Sequence, residues 1–341
     1  KLQEMSERSI QISLWVKTRN TLVGYNQCIT MKIVQIGTGG FGKNHARILS
    51  QLGVLSAICD MNVSRAEEFS KKYSVNHYSS LDSLMDAEKF DAAFVCTPTS
   101  THFELARKLL EQKKNVFVEK PMTYLSQEGE DLLRIARKNK VILTSGYIER
   151  FNPAVSLVKE YVKTKKYGEL IMLEFHRENR MPNHIKDVGI IYDTSVHDID
   201  TAMWLFDDVP EVVFARSGKI RHEHEDFATI MLGFRDNRVA IISSNWITPI
   251  RVRKFNAVCG DAIISSDFIT QEVKIETSSG AEIPRKETEE PLLLEIKNFI
   301  SAIEGKENIR VRAEDAVNTT KIAEAALLSS HKGTPIYLDL K

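Results

Sequence analysis

Between residues 31 and about 146, short apolar runs alternate with stretches whose apolar residues recur three and four positions apart. The runs 32–36, 54–59, 92–96, 116–118 and 141–143 are brief and rich in β-branched or aromatic residues. That is the pattern of strands covered on both faces. Between them, 41–52, 64–73, 103–112 and 126–139 read as helices, with Leu105, Leu109, Leu132, Leu133 and Ala136 among the residues of their apolar stripes. Strands separated by helices at this spacing predict a parallel sheet with helices on both faces, because parallel neighbours need crossover connections.

After Asn152-Pro153 the texture changes. Longer strand-like runs at 170–176, 227–234, 239–246, 254–259 and 262–268 follow one another, joined by polar turns such as Arg235-Asp236-Asn237. A helix is expected over 193–205, two more over 291–303 and 313–330, and a last strand over 336–340. The fold class is therefore α/β, a doubly wound parallel sheet over 31–146 followed over 147–341 by an α/β domain on a large, mainly antiparallel open sheet. The last helices are expected to pack back near the first domain. Residues 1–30 read as an extension before a natural start at Met31, with no signal-peptide pattern.

A length of 341 residues agrees with two domains at about 150 residues each. Lys+Arg and Asp+Glu both number 46, so no summed field favours a nucleic acid, and a small-molecule partner is expected. Apolar runs stay well below the roughly 18 residues of a membrane span. Cys28, Cys59, Cys96 and Cys259 lie far apart with no C-x-x-C pair, which points away from zinc and disulfides and toward a reducing cytoplasm.

The candidate chemistry begins at Gly37-Thr38-Gly39-Gly40-Phe41-Gly42, a G-x-G-x-x-G loop that follows a strand and opens a helix. Gly37 permits the tight turn, Gly39 lets backbone approach a pyrophosphate, and Gly42 allows close packing of helix on strand. This is the Rossmann dinucleotide signature, and a glycine turn that only redirects the chain is its plainer reading. Asp60 ends the next strand eighteen residues after Gly42, where a carboxylate accepts from ribose hydroxyls and favours NAD over NADP. Arg65 reads as a solvated helix residue, though its nearness keeps NADP open. Asp193 and His197 share a helix face at four-residue spacing, either as an oriented base or as a solvated acidic helix end. Lys120, before Pro121, is either a surface charge or a cation at the sheet's ligand edge.

Together with Thr97-Pro98, His102 and Glu119-Lys120-Pro121, these motifs resemble the glucose–fructose oxidoreductase, inositol dehydrogenase and MocA family of NAD(P)-dependent oxidoreductases. The resemblance implies an enzyme acting on CH–OH groups, with Lys120 between nicotinamide and substrate and with Asp193 and His197 completing the catalytic set. It implies a cofactor site of Gly37, Gly39, Phe41, Gly42, Asp60, Thr97, Pro98, His102, Glu119 and Lys120. His197 is expected to act as base, Lys120 to polarise the sugar oxygen, and Asp193 to orient both substrate and His197, with Lys120 and His197 able to exchange roles. Segments 146–153, 185–189, 196–200 and 245–249 are similar to the nucleotide-sugar 3-dehydrogenases, such as those acting on UDP-N-acetylglucosamine. Thr194-Ser195 departs from that branch.

Arg177, Arg180 and Lys186 are candidates for a substrate diphosphate, each as readily a solvated charge, and Arg150 is a further candidate substrate-binding residue. Arg221-His222-Glu223-His224-Glu225-Asp226 reads as a polar turn rather than a metal site, and no metal is expected. A homodimer or homotetramer joined through the open sheet is expected. A free-sugar or inositol dehydrogenase, a glycosidase that recycles its NAD, and a non-catalytic NAD sensor remain as alternatives.

Overall fold

Six short strands form the first sheet: β1 (Ile33–Ile36), β2 (Leu55–Cys59), β3 (Asn76–Tyr78), β4 (Ala92–Val95), β5 (Asn115–Val118) and β6 (Leu143–Ser145). All neighbours run parallel in the order β3-β2-β1-β4-β5-β6. The order reverses at β1 and β4, so the crevice at their carboxyl ends is the place where a ligand fits an open α/β sheet. The computed structural model describes residues 31–181, 187–285 and 287–340. The crossovers are α1 (Gly42–Gln51), α2 (Val63–Tyr73), α3 (Leu81–Ala87), α4 (His102–Glu111) and α5 (Ser126–Asn139). Neither β3 nor α3 was expected: β3 carries too few apolar residues, and α3, although Leu81, Leu84 and Met85 fall at helical spacing, is only seven residues long. The edge strand Asn76-His77-Tyr78 is largely exposed, so nothing selects an apolar run there.

After α6 (Pro153–Thr164) comes β7 (Leu170–Glu178), then α7 (Val196–Phe206). The chain continues through β8 (Val212–Gly218), β9 (Phe227–Gly233), β10 (Val239–Asn245), β11 (Val252–Cys259), β12 (Ile263–Asp267), β13 (Val273–Thr277) and β14 (Gly280–Glu282). With the terminal β15 (Ile336–Tyr337), these strands make one nine-stranded sheet ordered β14-β13-β12-β11-β7-β10-β9-β8-β15. Only β7 and β10 pair in parallel. β7 leaves for α7 and the chain returns beside it, the one place where the second sheet needs a crossover.

One face of this sheet is covered. Leu173, Phe175, Ile230, Ile242, Phe255 and Ile264 are all buried and alternate with outward residues as the pleat requires. α7 and the long α9 (Ala313–Lys332) lie over them. On the opposite face Ile171, Met231, Ile241 and Ile263 remain exposed.

Both sheets belong to one compact unit, Lys32–Lys341, and the two C-terminal helices return to the first. From α8 (Pro291–Ile303), Phe299 meets Phe94 and Phe117 edge-on at 5.3 and 5.8 Å. Glu324 of α9 accepts both the backbone N–H and the hydroxyl of Ser126 at the start of α5. No helix among the described residues is long and apolar enough to cross a membrane.

Candidate active site

The glycine loop is built so that little but glycine fits. Gly37 has φ +82° and donates to the Cys59 carbonyl at 2.8 Å, and a Cβ there would lie 2.5 Å from the Cys96 oxygen. A Cβ on Gly42 would come within 2.3 Å of the Gly37 oxygen, which holds α1 tight against the strand end. Above Gly39 a Cβ would meet only the end of the Arg65 side chain, so the floor of the loop is open. Phe41 provides no side-chain cap for α1 and the first turn carries no acid. The first N–H groups of the helix are thus free to receive an anion, and the residues fit a dinucleotide pyrophosphate.

Asp60 is buried and heavily engaged. Its Oδ2 accepts from the Thr38 N–H, the Thr38 hydroxyl and Arg65 Nε at 2.8, 2.8 and 2.9 Å. Its Oδ1 accepts from the Asn62 N–H and Arg65 Nη2 at 2.9 and 2.8 Å. Burial would raise its pKa, but Arg65, Thr38 and Asn62 together hold it down at about 2. This corrects the reading of Arg65 as a solvated charge. Asn62 caps α2 by accepting the Arg65 N–H, and a first-turn side chain leans back toward the strand it follows. Arg65 therefore lies with Nη1 over Gly39 and its Nε and Nη2 on Asp60.

The other residues expected to touch the cofactor split into two kinds. Thr97 and Pro98 follow β4 beside the glycine loop, with the Thr97 methyl 2.9 Å from the Cβ position of Gly37. His102 and Glu119 face inward. The His102 ring nitrogens lie 2.9 Å from the carbonyls of Thr97 and Pro121, so the ring ties together the two loops that rim the crevice. Glu119 meets His45 Nε2 at 2.6 Å and accepts the Lys120 N–H at 3.0 Å.

Lys120 and Asp193 meet. The ammonium donates to Asp193 Oδ1 at 2.9 Å and to the Asp193 carbonyl at 2.5 Å, with both side chains about five-sixths buried. Asp193 does not start a regular helix as its spacing suggested; it lies in a π-helical turn, Ile191–Ser195, ahead of α7. Glu225 pins that turn, its carbonyl accepting from Ile190 and its carboxylate from Ile191. A side chain on Gly189 would fall 2.1 Å from the Glu225 carboxyl carbon, so it would displace the carboxylate that holds Ile191. The wider turn changes the angle between Asp193 and His197 from that of a regular helix.

His197 stands in the first turn of α7 with its ring edge-on to Tyr147 at 6.3 Å. Its Nδ1 is buried and makes no hydrogen bond among the described residues. Burial, then the charges of Lys120, Arg177 and Arg253, hold its pKa well below the ordinary imidazole value. The ring is a neutral proton acceptor at neutral pH.

Two interior ion-pair networks anchor the helix on either side of it. Arg177 forks onto Asp198 and reaches Glu149, while Arg150 forks onto Asp200 and reaches Asp315. The guanidinium groups are 1% and 3% exposed. This corrects both readings of these arginines, since groups saturated by carboxylates in the interior neither face solvent nor offer a free fork to a diphosphate. Arg180 lies exposed just beyond β7, and Lys186 falls outside the described residues. Residues 220–226 form a turn in which the Asp226 carboxylate collects the N–H groups of Ile220, Arg221 and His222.

Thr38, Tyr147 and Arg253 were missed from sequence. Thr38 sits inside the glycine motif and could have been found there; nothing local marks Arg253, whose neighbour Arg177 comes from a distant strand.

The fold and cradle define an NAD-binding oxidoreductase with a second, open-sheet domain. A family model described as an oxidoreductase family with an NAD-binding Rossmann fold matches residues 31–147, and the family's C-terminal domain matches 155–264. The chain belongs to the GFO/IDH/MocA oxidoreductase family, whose first domain is described as an NAD-binding Rossmann fold. It is 26% identical over 285 residues to UDP-N-acetylglucosamine 3-dehydrogenase of Acidithiobacillus ferrooxidans, covering 81% of this chain and 89% of that protein. It is also 26% identical over 321 residues to inositol 2-dehydrogenase of Rhizobium meliloti, covering 88% and 97%. In fold it matches an Agrobacterium radiobacter oxidoreductase solved with NAD+, L-tartaric acid and magnesium, with a TM-score of 0.83, 18% identity and coverage of 90% and 98%.

Arg177→Met is expected to leave Asp198 and Glu149 unpaired and to cost about 3–5 kcal/mol in urea unfolding; a loss below about 1 kcal/mol would contradict the anchoring role. Asp60, depressed in the folded state, contributes stability above its unfolded pKa of about 4 that disappears as pH falls toward about 2. The stability gap between wild type and Asp60→Asn should accordingly narrow as unfolding is followed from pH 4.5 to pH 3.

Proposed function

We propose that the protein oxidises a secondary hydroxyl of a sugar with NAD, and that the sugar is a nucleotide sugar such as UDP-N-acetylglucosamine, oxidised at C3. The observation that carries this reading is the meeting of Lys120 and Asp193 beside the unpartnered Nδ1 of His197. Support for the nucleotide sugar comes from the similarity to the Acidithiobacillus ferrooxidans enzyme over most of both chains. Residues 31–146 serve as the dinucleotide-binding domain and 147–341 as the substrate and oligomerisation domain.

Bound NAD supplies a hydride acceptor. The hydroxyl proton passes to His197, which is neutral and has a lone pair to receive it. Lys120, fixed by Asp193, hydrogen-bonds the same oxygen and stabilises the negative charge that grows as the proton leaves. Two electrons and one proton leave the carbinol as hydride, the second proton leaves through His197, and a ketone remains. Arg177 and Arg150 act through Asp198 and Asp200 by positioning α7. Of the expected cofactor contacts, Glu119 and His102 support the Lys120 and Thr97 loops from behind.

The exposed apolar residues on the outer face of the nine-stranded sheet support a homo-oligomer formed face to face. Light scattering at micromolar concentration should give a dimer or tetramer, and a monodisperse monomer would refute the pairing. Lys120→Ala and His197→Ala should each lower kcat by about a hundredfold or more while binding NAD normally by fluorescence titration. The panel for this assay is UDP-N-acetylglucosamine, free aldoses and inositols, with NADH read at each. Unchanged turnover in both variants would end the assignment, activity on free sugars or inositols alone would move the substrate to them, and sugar release without NADH would point to cleavage with recycled cofactor.

A further inference from the structure

Three cations act on His197, and their counter-ions differ. Lys120 is paired with Asp193, and Arg177 with Asp198 and Glu149. Arg253 makes no side-chain hydrogen bond or ion pair among the described residues, its Nε is buried without a partner, and Glu149 and Asp198 act on it only from a distance.

The position of Arg253 follows from the sheet. It lies in β11 directly across from Arg177 of β7. Two residues on, Phe255 is buried on the covered face, stacked on Phe175 at 5.4 Å and packed against Phe268 at 5.2 Å. The two-residue period of a strand puts Arg253 on that same face, toward α7 and His197. The neighbouring acids are already committed: both oxygens of Asp198 and one of Glu149 hold Arg177, and the other oxygen of Glu149 accepts from Asn152. Arg251 adds another positive charge close by, and burial together with Arg177 and Arg251 lowers the Arg253 pKa to about 10. A partly buried guanidinium among cations, lacking an acceptor, is costly unless something else supplies one.

We propose that the missing acceptor is carried by the substrate, so that Arg253 is a substrate-binding residue and the sugar bears an oxyanion, a carboxylate or a phosphate, near the hydroxyl that is oxidised. The proposal rests on the dehydrogenase reading and narrows its substrate class. A planar fork suits an oxyanion, which it can hold through two parallel hydrogen bonds. Seating it there also cancels one of the three charges that oppose protonation of His197, so an anionic substrate makes its own base stronger than a neutral one does.

The test compares UDP-N-acetylglucosamine (phosphate), glucuronic acid (carboxylate) and myo-inositol (neutral) with wild type, Arg253→Gln and Arg253→Lys. Wild type should favour one of the anionic sugars over myo-inositol, and which one names the source of the oxyanion. Arg253→Gln should raise its KM by about tenfold or more, with Arg253→Lys recovering part of the loss and NAD affinity unchanged. An unchanged KM in Arg253→Gln, or equal use of myo-inositol by wild type, would overturn the proposal. Should no sugar yield NADH, the dehydrogenase reading fails by itself. Calorimetric binding of the same three sugars to the NAD complex then decides for Arg253: retention of an anionic sugar by wild type and its loss in Arg253→Gln supports the site, and no binding or equal binding rejects it.

Discussion

The contact between the Lys120 ammonium and Asp193 joins residues 73 positions apart, one at the end of a strand in the parallel sheet and the other in the turn that leads into α7. It lies at the carboxyl edge beside the switch point where the glycine loop, the Thr97 loop and the Lys120 loop converge. Much of the surrounding structure serves to hold the two ends of this contact. Glu119 and His45 hold the backbone of Lys120 from inside, and His102 ties Pro121 to Thr97. On the other side Glu225 and Gly189 fix the π-turn.

Charge near this contact is distributed unevenly, and the unevenness is chemically useful. Arg150 and Arg177 are satisfied in the interior and act as struts. Buried pairs of this kind are weak evidence for stability gained, but they are expensive to break, so they fix position. Their carboxylate partners, Asp198 and Asp200, follow His197 by one and three residues, which fixes the stretch of α7 that carries the imidazole. Among the described residues Nδ1 of His197 accepts and donates no hydrogen bond, and the ring stands in a positive field, which keeps it neutral.

Asp60 shows a similar economy at the cofactor end. A carboxylate placed to meet ribose hydroxyls is already filled by Thr38, Asn62 and Arg65. Arg65 is the exposed member of that set, a side chain on the outside of a buried carboxylate whose other donors come from Thr38 and the Asn62 backbone.

The parallel sheet, the mainly antiparallel second sheet and the glycine loop were legible in the sequence because each rests on local periodicity or on a motif a few residues long, whereas Lys120, Asp193 and His197 stood out only through a resemblance. Short polar edge strands such as β3 and β14 were not, since exposure removes the apolar alternation that marks a strand. The π-turn at Asp193 was invisible for another reason: Glu225, which pins it, is more than thirty residues away. The roles of the arginines were misjudged on the same ground. In sequence Arg65, Arg150, Arg177 and Arg253 are alike, four cations with no mark to separate them. Only the folded chain decides that three are matched with carboxylates and one is not, because the energy of a charge is set by what lies within a few ångströms of it rather than by its neighbours along the backbone.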